Sequence, residues 1–320
     1  MGTTNIRPEG NFLQSEEWGM VCEKTGSKPI FEKIDDTGSC LMVVRNAKRG
    51  RYLEIACGPL IDWQDKEQIK KAFELIKKTA KAEKCVFVRL RPQLMATPEN
   101  IKLLTSLGLK KSPMHLAAEH TVILDLTKSE DELLANMRRQ TRYEVRRIAK
   151  ENITVETTRS KEAFDEFFKV QQETAKRQNF IPPSKALLQA ERECLGENIN
   201  LYIAKKDGAP IAYGIMIDYG EEADYYEAAS TELNHKLPGS YAIIWTAAKD
   251  FKAKGLKRFN LWGIAPKNQP NHRYAGVTTF KTGFGGEVIE FVSAHDLIIN
   301  RPKYLKNWVI ETARRKKRHL

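Results

Sequence analysis

Gly276-Val277-Thr278-Thr279-Phe280-Lys281-Thr282-Gly283-Phe284-Gly285-Gly286 is the most informative stretch of this chain. It follows Phe259-Asn260-Leu261-Trp262-Gly263-Ile264, an apolar run closing on a glycine, which predicts a buried strand and a turn. Between them, residues 265–275 are polar and interrupted by Pro266 and Pro270, which predicts a loop. Lys281 therefore stands among Phe280, Phe284 and the glycines that follow. A lysine set among rings and bare backbone can act as a fixed cation. It can neutralise a phosphate, or the oxyanion formed when an amine attacks an ester. The plain alternative is a strand whose lysine faces water, and spacing alone does not separate the two.

Upstream of this stretch the pattern alternates between strands and helices. Residues 201–204 and 210–217 flank Asp207-Gly208, a strong hairpin signal. Asp224 to Ser230 reads as the next strand, with Tyr225 able to offer its hydroxyl to a cleft. Pro238-Gly239-Ser240 precedes a helix over Tyr241 to Lys254, stopped by Gly255. Phe164, Phe167, Phe168 and Val170 mark the inner face of a helix over 162–176. That helix ends at Arg177-Gln178-Asn179-Phe180 before Pro182-Pro183. Thr121 to Leu126 is a strand, and Ser129 caps a helix whose first turn carries Glu130, Asp131 and Glu132. Arg138, Arg142 and Arg146 lie four apart and would share one face of that helix, a stripe suited to phosphates or simply to solvent.

The first part of the chain follows the same alternation. Ser15 with Glu16 and Glu17 is a helix start, and Trp18 is expected to pack that helix on a sheet. Residues 41–45 and 51–56 read as strands, the second ending at Cys57-Gly58-Pro59-Leu60. Gly58 and Pro59 form a turn there, or a stretch of backbone open to a ligand. A helix over 67–84, a strand over 86–92 and a short helix over 100–107 complete this part. The chain closes on a helix and the run Arg314-Arg315-Lys316-Lys317-Arg318, a tail that attracts RNA or an anionic membrane face, or is merely soluble.

Composition bounds these readings. The 320 residues suggest two domains, and 41% hydrophobic residues suffice for real cores. No apolar run reaches the ~20 residues needed to span a bilayer. Residues 1–11 lack the apolar core of a signal peptide, so a cytoplasmic protein is expected. A net charge of +12 favours anionic partners: nucleic acid, anionic lipid or a nucleotide-linked substrate. The five cysteines are scattered with no C-x-x-C pair, which reads as reduced thiols and no zinc site. Metalloprotease, nucleophile-elbow, P-loop and dinucleotide-binding signatures are absent.

Several of these segments together resemble the Fem family of FemA, FemB, FemX and MurM, and most of all its compact FemX-type members. The matching residues are Phe12-Leu13-Gln14-Ser15, Trp18, Gly58-Pro59, Arg89-Leu90-Arg91-Pro92, Met137 to Arg142, Gly263-Ile264, Phe280-Lys281 and Phe284-Gly285-Gly286. The resemblance covers nearly the whole chain. It implies an α/β fold of two tandem GNAT-like (acyl-CoA N-acyltransferase-like) domains with mixed sheets flanked by helices. The first would comprise residues 1–120 plus 295–320, the second residues 121–294. It implies an aminoacyltransferase that carries an amino acid from aminoacyl-tRNA to the stem-peptide amine of a peptidoglycan precursor, either lipid II or UDP-MurNAc-pentapeptide. No cofactor is implied, and a monomer touching the inner membrane face is expected.

The resemblance assigns Lys281 and Phe280 to catalysis, and Tyr225, Arg177, Gly58 and Pro59 to substrate binding. Arg138, Arg142 and Arg146 are expected on the tRNA phosphates. Two positions where FemX-type members hold a diphosphate carry Cys22 and a proline here, which leans toward a lipid-linked acceptor. The turn Asn234 to Ser240 lacks the glycine-rich pattern that holds CoA pyrophosphate, and Pro238 has no amide to offer. A CoA-dependent N-acyltransferase and a non-catalytic RNA- or membrane-binding module remain the competing readings.

Overall fold

The computed structural model describes residues 11–318 apart from Arg49, Asn179, Asn268, Pro270 and Asn271. The polar N-terminal segment and parts of the 265–275 loop lie outside the described residues, as do the side chains of the basic tail beyond Arg315. The chain divides into two compact units. One runs up to Glu119 and resumes at Glu290, and the other is His120–Ile289.

In the first unit, α1 (Glu16–Lys24) starts at Ser15, whose hydroxyl accepts from Trp18 N at 3.1 Å. Trp18 packs edge-on against Phe12 at 5.5 Å. Then come β1 (Lys28–Lys33), β2 (Ser39–Ala47), β3 (Gly50–Ala56), α2 (Lys66–Ala82), β4 (Phe87–Arg91), α3 (Pro98–Ser106) and β5 (Leu109–Lys111). Apolar residues of α2 at helical spacing, Ile69, Phe73, Ile76 and Ala80, pack on Met42, Leu53, Ile55 and Val88 of the strands. Burying each such side chain contributes roughly 1.5–3 kcal/mol.

In the second unit, β6 (His120–Asp125) leads to α4 (Glu130–Asn136), α5 (Arg139–Lys150), β7 (Ile153–Thr158), α6 (Lys161–Gln178) and α7 (Lys185–Leu195). The hairpin strands β8 (Ile199–Lys206) and β9 (Ala209–Tyr219) follow, then β10 (Glu222–Ser230), α8 (Gly239–Ala253), β11 (Arg258–Gly263), α9 (Ala275–Thr282) and β12 (Glu287–Glu290). Asp207 and Gly208 both have positive φ, as a tight two-residue hairpin requires. The chain then returns to the first unit with β13 (His295–Ile298) and α10 (Arg301–Arg318).

Both sheets are mixed and flanked by helices, so the α/β class with tandem GNAT-like sheets is as expected. The first sheet has the order β1-β2-β3-β4-β13-β5, so a strand from the far end of the chain sits between β4 and β5. The second has the order β12-β6-β11-β10-β9-β8-β7. No helix among the described residues is long and apolar enough to cross a membrane.

Three local readings need correction. The basic helix is not continuous. It breaks at Met137 and Arg138, both extended, because Arg138 N donates to Gly283 O at 2.8 Å instead of continuing the helical ladder. Gly285 passes so close to the break that a Cβ would lie 2.1 Å from Asn136 O. These glycines thus serve backbone packing rather than an open ligand surface. Helix α7 gave no signal that the sequence reading picked up. The stretch around Lys281 is a helix, not a strand. Its threonines turn their hydroxyls back on the helix: Thr278 Oγ1 donates to Tyr274 O at 2.8 Å, and Thr282 Oγ1 to Thr278 O at 2.7 Å.

Candidate active site

The second sheet opens at one place. Strands β10 and β11 run parallel and pair at Glu222↔Arg258, Ala223↔Phe259 and Asp224↔Asn260, and there the pairing stops. Beyond it, β10 continues to Ser230 along β9 and β11 continues to Gly263 along β6. Each strand carries an irregularity just past the parting, between Tyr225 and Glu227 on β10 and between Asn260 and Gly263 on β11. Such bulges twist a strand and re-aim its side chains.

Asn260 pins the irregularity on β11. Its Oδ1 accepts from Trp262 N at 2.9 Å, and its Nδ2 donates to Glu222 Oε1 at 2.9 Å. Thr121 Oγ1 contacts Asn260 Oδ1 and donates to Trp262 O at 3.0 Å. Trp262 is thereby held at φ 62°, a left-handed conformation that costs a bulky residue on the order of 1 kcal/mol. Its ring meets Tyr226 edge-on at 5.6 Å, across the parted strands.

Lys281 reaches this place from α9. It is 8% exposed, its Nζ donates to Gly263 O at 2.9 Å, and the ammonium lies 5.7 Å from the Tyr225 ring centroid. Burial pushes its pKa down to about 7, and no carboxylate opposes that shift among the described residues. An ammonium has three donors. With one on Gly263 O, it is a buried cation still able to bond an incoming anion. Phe280, half-buried, packs on Tyr241 at 5.0 Å and on Phe284 at 5.4 Å, an aromatic wedge that fixes α9 and hence Lys281. Tyr225 is buried, and burial alone raises the pKa of its hydroxyl.

The other residues singled out from sequence lie elsewhere. Arg177, exposed at the end of α6, bonds Ser230 O and Thr174 Oγ1, so it ties α6 to the end of β10. Arg138 Nη2 donates to Thr279 O at 2.9 Å, and Arg142 Nη1 donates to Ala135 O at 2.9 Å and Leu134 O at 3.2 Å. These two close the α4–α5 break and hold α9, while Arg146 is exposed on α5. Arg138 lies before α5, so the three do not form one helical stripe. Gly58 and Pro59 are buried in the first unit, where Gln14 fills the space that a Cβ on Gly58 would need.

The start of α8 bears on the donor. Ser240 N donates to Asn234 Oδ1 at 2.9 Å, and Asn234 Nδ2 donates to Ser240 Oγ at 3.0 Å. A side chain thus occupies a first-turn amide that a pyrophosphate would otherwise use.

Sequence reasoning missed Asn260, Tyr241 and a pair of buried acids beneath β10. Glu227, half-buried, accepts from Gln171 Nε2 at 2.6 Å. Glu191 on α7 is fully buried and accepts from Tyr226 OH at 3.4 Å. Burial raises both carboxyls, Glu227 to about 7, and the nearby Glu227 charge raises Glu191 further. Three acids, Glu222, Asp224 and Glu227, on one nine-residue strand were the available signal.

The sequence matches the FemAB family over residues 4–207 and 183–312. The chain belongs to the FemAB family. Aminoacyltransferase FemA of Staphylococcus epidermidis is 23% identical to this FemAB protein over 385 residues, covering 92% of this chain and 91% of its own. Among solved structures, a crystal structure of FemX superposes with a TM-score of 0.86 at 18% identity, covering 97% of this chain and 99% of that one. L-PGS from Bacillus licheniformis shares the fold at a TM-score of 0.58 and 13% identity, over 96% and 98% of the two chains.

Proposed function

We propose that this FemAB protein transfers an amino acid from aminoacyl-tRNA to the stem-peptide amine of a peptidoglycan precursor, building an interpeptide bridge. Family membership supports aminoacyl transfer of this kind at the level of the family. The observation that carries the reading for this chain is Lys281, a buried ammonium with spare donors where β10 and β11 part.

The chemistry needs no protein nucleophile, because the ester is already activated. The acceptor amine attacks the ester carbonyl carbon, a C–N bond forms and negative charge gathers on oxygen. The bond to the ribose oxygen then breaks. The nitrogen gives up a proton and the departing ribose oxygen takes one. Lys281 in its ammonium form stabilises the developing negative charge, and the dry surroundings strengthen that interaction. Phe280 and Tyr225 hold it in place. Arg177, with Arg138, Arg142 and Arg146, faces the anionic backbones of the substrates. A guanidinium has five donors, so those already on carbonyls keep some for phosphate. Gly58 and Pro59 shape the strand end of the first unit for the acceptor. No resident metal or cofactor is required, and the protein works as a cytoplasmic monomer.

The acceptor is lipid-linked in this reading. Helix α10 exposes Leu305 (62%), Trp308 (41%) and Val309 (53%) at helical spacing, beside exposed Arg301, Lys303 and Lys306. A face of apolar and basic residues suits peripheral contact with an anionic membrane. In vesicle co-sedimentation, Trp308→Ala is expected to weaken binding to anionic vesicles about three- to tenfold. Unchanged binding would remove the membrane contact.

Incubating the protein with a mixture of charged tRNAs and lipid II, with UDP-MurNAc-pentapeptide in parallel, tests the reading directly. The expected product is a precursor heavier by one aminoacyl residue, formed from lipid II. Absence of any product, or transfer from acetyl-CoA instead, would contradict it.

A further inference from the structure

The acids beneath β10 are not used by the transfer chemistry just described. Glu191 is fully buried and its Oε2 has no partner among the described residues. Gln171, 3% exposed on α6, gives its amide N–H to Glu227, and its own Oε1 is likewise buried without a partner. The cluster is therefore rich in acceptors, and the one donor its acids can add is the proton of a neutral Glu191, whose carboxyl burial and the Glu227 charge hold well above the usual range. Tyr226 OH supplies Glu191 Oε1 and Gln171 Nε2 supplies Glu227 Oε2, and two buried oxygens are left over. Buried acceptors without donors are costly, and burying two carboxyls together is costlier still. A group that would satisfy them is cationic and carries several N–H donors.

Position adds to this. Tyr225, Tyr226 and Glu227 are consecutive at the irregularity where β10 leaves β11. Tyr225 meets Lys281, and Glu227 meets α6 through Gln171. Tyr226 meets Trp262 of the opposite strand. Consecutive residues at the parting thus connect it to the Lys281 cation through Tyr225 and to the acceptor cluster through Tyr226 and Glu227. An aminoacyl ester has this polarity: an oxygen that turns negative in transfer and, one carbon beyond the carbonyl, a primary ammonium.

We infer that Glu191, Glu227 and Gln171 form a subsite for the α-ammonium of the donor's aminoacyl group. This rests on the proposed function and names what the site recognises in the donor. The ammonium bonds the carboxylates and the Gln171 carbonyl, while Tyr226 and Trp262 flank the amino-acid side chain. The subsite separates aminoacyl donors from plain acyl donors, which carry no cation.

The test uses two unreactive probes, 3′-(L-alanylamino)-3′-deoxyadenosine and its N-acetyl derivative, titrated calorimetrically into the full-length protein. Wild type is expected to bind the free-amine probe about ten- to a hundredfold more tightly, as a charge-assisted contact gives. Glu227→Gln and Glu191→Gln, each checked for an unchanged circular dichroism spectrum, are expected to remove that preference. Equal binding of both probes by wild type, or binding of neither, overturns the inference, and this comparison needs no variant. A preference that survives both substitutions overturns it too. Transfer from charged tRNA is measured on the same preparation. Wild type that transfers but does not discriminate keeps the proposed function and loses the subsite. Wild type that discriminates but transfers nothing does the reverse.

Discussion

The two units use one element order and finish it differently. In each, three antiparallel strands lead through a helix to a fourth strand that runs parallel to the third: β1, β2, β3, α2, β4 in one and β8, β9, β10, α8, β11 in the other. In the first unit the parallel pair stays zipped to its last residues, Ala56↔Arg91. Gln14 then seals the end, donating to Ala56 O at 2.7 Å and accepting from Leu41 N at 2.9 Å, while Arg91, 2% exposed, reaches Cys57 Sγ at 2.7 Å. In the second unit the same pair lets go after Asp224↔Asn260, and a lysine and a glutamate pair occupy the surroundings of the parting. Both copies thus place a left-handed residue and a buried cation at the strand end, Cys57 and Arg91 in one and Trp262 and Lys281 in the other, and they differ in whether the parallel strands stay paired there.

Asn260→Ala attacks the open end most strongly. It removes the acceptor of Trp262 N and one partner each of Glu222 and Thr121, so Gly263 O loses its aim at Lys281. A loss of about ten- to a hundredfold in kcat is expected from misplacement alone, with about 1–3 kcal/mol of stability in denaturant unfolding. Unchanged kcat would mean that the irregularity on β11 is incidental.

Stability against pH gives the next effect. The Lys281 ammonium titrates at about 7 in the folded protein and at ~10.4 when free. Between those values the unfolded chain binds more protons, so Lys281 costs stability at and below neutral pH, and the cost fades as pH rises toward the free value. Lys281→Met is expected to be more stable than wild type by on the order of 4 kcal/mol at pH 7, with the gap closing by about pH 10.5. A gap independent of pH would contradict the buried-cation description.

The closed end supplies the smallest effect on turnover. Gln14→Ala leaves backbone groups of Ala56 and Leu41 without partners and opens space beside Gly58. It is expected to cost about 1–3 kcal/mol in unfolding while kcat stays within about twofold. A large fall in kcat would show that the zipped end takes part in the chemistry after all.

What could be read in advance was whatever depends on neighbours in sequence. Ser15 and Ser129 announce their helices because a cap needs only the next three residues, and the Ser129–Glu132 capping box forms in full. Asp207-Gly208 fixes its hairpin for the same reason. The α9 stretch misled because Val277, Thr278 and Thr279 favour a strand by propensity. Its helix depends on Phe280 and Phe284 packing against Tyr241 of a distant helix, and its threonine hydroxyls turn back onto helix carbonyls. The break before α5 was invisible from its own residues, since Gly283 and Gly285 make it. Lys281 stood out as an odd residue in an aromatic setting. Glu191 and Glu227 did not, because one sits on a helix without a clear signal and the other on a strand with two tyrosines and two further acids.

The most direct test of the central claim is single-turnover transfer from charged tRNA to lipid II by Lys281→Ala at saturating substrate, with circular dichroism and thermal melting as the check on folding. The account predicts a folded protein whose transfer rate falls by at least about a thousandfold, since a buried cation beside the reacting ester would be gone. A folded variant that transfers at close to the wild-type rate would contradict it.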